Sequence, residues 1–260
     1  MSTRNGSFVW YELMTSDADA AAGFYAKVVG WTPEDSGMSE TTGMEYTILK
    51  AADVPAAGLM KQPEDVSKAG APPSWICYIA VDDVDAYAER ISGMGGAVHR
   101  APADIPGVGR FAVVADPHGA MFCLFKGEGE PPAANVEPGT PGHAGWHELM
   151  AGDGAAAYDF YAGLFGWTKG EAMDMGPMGI YQIFEIDGVA AGGIMTKPAE
   201  MPFPTWNCYF NVESIDAAAK RISAAGGEIV HGPMEVPGGS WILHGKDPQG
   251  GFFALVGPEN

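Results

Sequence analysis

One eight-residue stretch is written twice in this chain. Trp10-Tyr11-Glu12-Leu13-Met14-Thr15-Ser16-Asp17 returns as Trp146-His147-Glu148-Leu149-Met150-Ala151-Gly152-Asp153, identical at five of eight places. The echo holds its 136-residue offset through Phe24-Tyr25 and Phe160-Tyr161, then Gly30-Trp31 and Gly166-Trp167. A later block returns at 131 residues: Trp75-Ile76-Cys77-Tyr78 as Trp206-Asn207-Cys208-Tyr209, and Asp116-Pro117-x-Gly119 as Asp247-Pro248-x-Gly250. The shorter offset places a small deletion in a loop, where length changes cost least. The chain is therefore a tandem duplication, and any fold proposed for it must be built twice in 260 residues.

Each copy reads as two β-α-β-β-β units. In the first, Phe8 to Met14 alternates as a strand, placing Trp10 and Glu12 on one face. Ser16 or Asp17 caps a helix from about Ala18 to Val29, which Gly30 stops. Trp31 begins a return strand, and strands follow at Met44–Lys50 and Val54–Lys61. After a linker from Gln62 to Pro73, the second unit runs as strand Trp75–Val81, helix Val84–Met94, and strands Ala97–Arg100, Arg110–Ala115 and Met121–Lys126. The Glu- and Pro-rich stretch after Gly127 lacks apolar periodicity and reads as a linker. The expected domains are 1–127 and 143–260, joined by 128–142.

Composition excludes several function classes. A formal net charge of −19 opposes binding to nucleic acid phosphates or an anionic membrane surface. It is compatible with a cationic ligand, and equally with simple solubility. No stretch is apolar enough to span a membrane and the N-terminus has no signal-like apolar core, so a cytoplasmic location is expected. Cys77, Cys123 and Cys208 form no CxxC and read as small buried hydrophobes.

Four such units in register resemble the vicinal oxygen chelate superfamily, the group of glyoxalase I, bleomycin resistance proteins and extradiol dioxygenases. The resemblance rests on the capped helix carrying Phe-Tyr and ending in Gly-Trp, on Tyr-Ile-Ala-Val-Asp-Asp-Val-Asp at 78–85, and on the Asp-Pro-x-Gly turns. The Trp-x-Glu-Leu starts are similar to those of bacterial proteins labelled glyoxalase-like or hydroxylase. It implies an α+β fold in which four βαβββ units form two glyoxalase/bleomycin-resistance-type domains, each an incomplete curved barrel around a cavity.

Metal-using members of that group hold a divalent ion on His, Gln and Glu side chains. The resemblance places those positions at Trp10, Gly58, Ile76 and Cys123 in the first domain, and at Trp146, Gly193, Asn207 and Ala254 in the second. One thiol and one amide do not make a site that needs three or four convergent donors. No metal ligand and no cofactor are therefore expected. The adjacent His147 and Glu148 point to opposite faces of a strand and cannot both reach one ion, and His99, His118, His143, His231 and His244, which show no ligand spacing along the chain, read as surface histidines.

The residues expected to face a cavity are Trp10, Glu12, Ile76, Tyr78 and Cys123, with Trp146, Glu148, Asn207 and Tyr209 in the second copy. An indole beside a carboxylate suits a cationic or hydroxylated aromatic ligand. Glu12 and Glu148 are the candidate catalytic bases. Both pairs also suit a framework role, since a duplicated scaffold keeps its packing. Three functions follow: a metal-independent small-molecule-binding protein that sequesters or processes a toxic or secondary metabolite; a glyoxalase-like lyase or isomerase, or a hydroxylase, acting on a carbonyl or aromatic substrate; or a scaffold without a small ligand. Either a monomer with pseudo-two-fold domains or a homodimer is compatible with the duplication.

Overall fold

The computed structural model describes residues 5–68, 70–129 and 136–260. Part of the expected linker, 130–135, lies outside the described residues. The first copy runs β1 (Phe8–Thr15), α1 (Ala18–Val28), β2 (Thr32–Asp35), α2 (Ser39–Thr42), β3 (Tyr46–Ala51), β4 (Val54–Lys61), α3 (Glu64–Lys68), β5 (Ser74–Ala80), α4 (Val84–Gly93), β6 (Ala97–Ile105), β7 (Gly109–Ala115) and β8 (Met121–Gly127). The second runs β9 (Ala144–Ala151), α5 (Gly154–Phe165), β10 (Thr168–Asp174), β11 (Ile180–Ile186), β12 (Val189–Thr196), β13 (Thr205–Asn211), α6 (Ile215–Ala224), β14 (Glu228–Glu235), β15 (Trp241–Lys246) and β16 (Phe252–Gly257). This is the α+β, four-fold βαβββ pattern expected.

The first sheet has the order β2-β3-β4-β1-β5-β8-β7-β6 and the second β10-β11-β12-β9-β13-β16-β15-β14, so both are open, with edges rather than closed barrels. Within each module the first strand runs parallel to the last, as in β1 with β4 and β13 with β16. The helix between them makes that crossover possible.

Side chains start the four main helices as the sequence leads one to expect. Asp17, Asp83 and Asp153 each accept the backbone N–H three residues on at 3.0 Å, and Ser214 does so at 3.1 Å. Gly30 and Gly166, with φ of +90° and +76°, let the chain leave α1 and α5 in the left-handed region.

Three departures have physical causes. Trp31 is buried in the core, and the return strand starts one residue later. The stretch from Gln62 to Pro73 contains the short α3, whose exposed polar turn carries no apolar periodicity to announce it. Strand β6 runs five residues past Arg100 because it is an edge strand, mostly exposed and lacking alternation. Its Pro102 falls within a register shift against β7, where a missing N–H is tolerated.

Contacts gather the described residues into two compact units, each drawing on both copies. Unit one takes Met1–Val9, Cys77–Ala133 and His147–Asn207; unit two takes Trp10–Ile76, Ala134–Trp146 and Cys208–Asn260. Unit two is centred on Phe210, whose ring lies 4.9 Å from Trp31 and 5.0 Å from Trp75. In unit one Trp167 stacks on Phe184 at 4.2 Å, and Trp206 meets Tyr161 edge-on at 5.3 Å.

The repeated motifs meet in these cores. In unit two the Tyr25 hydroxyl donates to Asp247 Oδ2 at 3.0 Å and accepts from Trp75 Nε1 at 3.1 Å. Asp247 Oδ1 accepts the N–H groups of Gln249 and Gly251 within its own turn. Unit one repeats this with Tyr161, Asp116 Oδ2 at 3.4 Å and Trp206 Nε1 at 3.0 Å, while Asp116 Oδ1 holds His118 and Ala120. Burial, and then the adjacent carboxylate, push both tyrosine pKa values well above the ordinary range, so the hydroxyls stay protonated donors.

The Gly-Trp indoles serve a second pair of joints. Trp31 Nε1 donates to Gly142 O at 2.7 Å, and Trp167 Nε1 to Gly6 O at 3.0 Å. Gly6 and Gly142 have φ of +85° and +83°, and a Cβ at Gly6 would sit 2.9 Å from the Trp167 nitrogen.

Candidate functional site

Module one sets Trp10 and Glu12 on the same side of β1. Glu12 is 8% exposed and lies in register with Gly58 of β4. The half-buried Trp10 donates its Nε1 proton to the Tyr46 hydroxyl at 2.8 Å. That tyrosine lies over Gly58, so a Cβ there would collide with its hydroxyl.

The second copy repeats the arrangement. Glu148, 7% exposed, lies in register with Gly193, over which the Tyr181 ring occupies the space of a side chain. Both glutamates make polar contacts within the protein. A carboxylate removed from water needs such partners. Trp146, two residues before Glu148, is half-buried.

His147 points away from Glu148, as strand geometry requires. It is buried, stacks on Phe8 at 3.7 Å with 8° between ring planes, and bonds through Nδ1 to Ala191 O at 2.8 Å. Burial lowers its pKa to about 4. It is a neutral core residue at physiological pH.

The remaining candidates are all buried: Ile76, Tyr78, Cys123, Asn207 and Tyr209. Tyr78 and Cys123 are register partners across β5 and β8. Tyr209 is the partner of Ala254, and its hydroxyl lies 2.7 Å from His244 Nε2. Trp10, Glu12, Ile76, Trp146 and Tyr209 belong to unit two, and Tyr78, Cys123, Glu148 and Asn207 to unit one. The three cysteines are buried thiols, as expected.

His231 and His244 correct the expectation of separate surface histidines. They sit on strands β14 and β15 as direct register partners, their rings stacked at 5.8 Å. His231 is exposed, but His244 is half-buried, with the Phe252 ring 5.4 Å away. A separation of thirteen positions along the chain hides the pairing; the strand register reveals it.

The divalent ion implied by the resemblance does not fit these residues. Its positions carry two tryptophans, two glycines, an isoleucine, an alanine, one thiol and one amide, and tyrosine rings cover both glycines. Among the described residues, no three His, Cys, Asp or Glu side chains form a group able to hold a metal.

With this geometry in place, comparison with known proteins is informative. The profile of the Glyoxalase/Bleomycin resistance protein/Dioxygenase superfamily matches residues 7–124 and 141–255. The chain is 31% identical over 256 residues to a protein of Mycobacterium bovis bearing the glyoxylase name CFP32, covering 98% of this chain and 96% of that one. It is also 31% identical over 265 residues to the anthracycline biosynthesis protein DnrV of Streptomyces peucetius, covering 96% and 93%. Among solved structures, the Mn(II)-bound glyoxalase from Novosphingobium aromaticivorans superposes with a TM-score of 0.65 at 19% identity, over 100% of this chain and 84% of that one. At that identity the likeness concerns the fold alone.

Proposed function

The chain belongs to the glyoxalase/bleomycin resistance protein/dioxygenase superfamily, and from that premise we propose that it binds a small aromatic or cationic molecule without a resident divalent ion. In this reading the ligand is a toxic or secondary metabolite, sequestered or processed by two domains, 1–127 and 143–260, in the cytoplasm. The observation that carries it is the pair of buried glutamates, Glu12 and Glu148, each opposite a tyrosine-covered glycine where metal-using members need a donor. The strand face thereby offers an indole and a carboxylate in place of an ion.

Further support comes from composition and relatives. A net charge of −19 raises the local concentration of cations. A relative named for anthracycline biosynthesis is in keeping with an aromatic ligand. No helix among the described residues is long and apolar enough to cross a membrane.

The test has two arms. Untagged protein supplied with Zn²⁺, Ni²⁺, Mn²⁺ and Fe²⁺ is expected to retain less than about a tenth of an equivalent of any of them. Proflavine, a planar aromatic cation, is expected to quench tryptophan fluorescence with saturation. Glu12→Gln and Glu148→Gln together should weaken that binding by about tenfold, equivalent to one charge-assisted contact. A stoichiometric retained ion, or proflavine binding indifferent to both substitutions, overturns the proposal.

A further inference from the structure

A single row of side chains crosses four strands of the second copy. Tyr209 on β13 is in register with Ala254 on β16, Ala254 with His244 on β15, and His244 with His231 on β14. The Ala254 methyl leaves room for the Tyr209 hydroxyl to reach His244 Nε2 at 2.7 Å. The row grades from buried Tyr209 through half-buried His244 to exposed His231. The same row in the first copy reads Tyr78, Cys123, Val113 and Arg100. A scaffold that folds with Val113 and Arg100 at these places does not need histidines there for its framework.

We infer that the second copy carries a hydrogen-bonding site absent from the first, formed by Tyr209, His244 and His231, which takes a ligand bearing a hydroxyl on a planar ring. The inference rests on the small-molecule reading above and assigns its chemistry to one copy. Tyr209 is the positioning residue: its hydroxyl engages Nε2 and fixes the imidazole, leaving Nδ1 for the ligand. The Phe252 ring lies 5.4 Å from the imidazole, tilted, and the His231 ring is stacked on it at 5.8 Å. Burial, followed by the neighbouring His231, lowers the His244 pKa to about 4, so the ring stays neutral at neutral pH and its Nδ1 accepts a hydrogen bond rather than a proton.

No proton is transferred at this site. The ligand O–H stays intact and donates to Nδ1, while the neutral ring carries its own proton on Nε2 and donates it to the Tyr209 oxygen. The groups around His244 are Tyr209 and His231, with Met234 on the His231 side. Farther along the same two strands, Lys246 lies in register with Glu228.

The probe is 4-nitrophenol, whose ionisation is read by its visible absorbance. Bound to the intact protein, it is expected to ionise about one pH unit higher than in water, a tenfold shift toward the neutral phenol. His244→Val, which installs the residue of the first copy, should abolish the shift while leaving the circular dichroism and proflavine binding unchanged. Tyr209→Phe should shrink the shift and move its pH profile, and His231→Arg should also shrink it, because a fixed cation beside the ring favours the anion. A shift that survives His244→Val, or proflavine binding without any 4-nitrophenol binding, overturns this inference alone. Failure to bind either probe overturns it together with the small-molecule reading.

Discussion

Asp247→Ala is expected to lower stability by about 4 kcal/mol, seen as an earlier urea midpoint with little change in slope. The carboxylate is 3% exposed and does two things at once. Oδ1 ties the turn through the N–H groups of Gln249 and Gly251, and Oδ2 receives the Tyr25 hydroxyl. Removing it leaves buried donors without acceptors, each costing about 1–3 kcal/mol. Asp247→Asn keeps one acceptor oxygen for the turn and should lose about half as much. Asp116→Ala should cost less than Asp247→Ala, because its Oδ2 lies 3.4 Å from Tyr161 rather than 3.0 Å. Equal stability of Asp247→Ala and the parent would show that the turn holds itself.

Acid sensitivity is the second large effect. His147 is buried and its pKa is lowered to about 4, whereas an unfolded histidine titrates near about 6.5. Above that range neither state binds the proton and the residue contributes no pH dependence. As pH falls from about 6.5 to about 4 the unfolded chain takes up a proton that the folded chain refuses, so stability drops over that window. The full loss below it is about 3 kcal/mol. His147→Tyr, which installs the residue found at the matching place in the first copy, should flatten this part of the pH profile relative to the parent. Chemical denaturation at pH 7 and pH 4.5 checks it; parallel losses in both proteins would refute it.

Much of the architecture is legible from residue pattern because it is local. Asp17, Asp83 and Asp153 each stand one residue before a helix and announce its start, and strand alternation along Phe8–Thr15 places Glu12 opposite Leu13 without reference to the rest of the chain. Gly30 and Gly166 mark helix ends because few other residues tolerate their φ values. What is not legible depends on pairing between distant strands. The Tyr25–Asp247 bond joins residues 222 apart, and each belongs to a motif already visible within its own copy. The His231–His244 pair depends on a register shifted on both sides of His231, which no spacing rule along the chain encodes. Tyr46 and Tyr181 fall outside the repeated motifs, yet they fill the space over Gly58 and Gly193 and so decide what those positions can hold.

The interleaved make-up of the two units has a bearing on synthesis. Every segment of unit one has been translated once Asn207 is made, but unit two draws on the stretch from Cys208 to the last residue. Until Phe210 and Phe253 leave the ribosome, the rings of Phe24, Tyr25, Trp31 and Trp75 lack the partners that cover them in the finished protein. The rings of Trp10–Ile76 are thus enclosed only after the strands from Cys208 onward have been made. Until then they form an aromatic surface that chaperones can recognise.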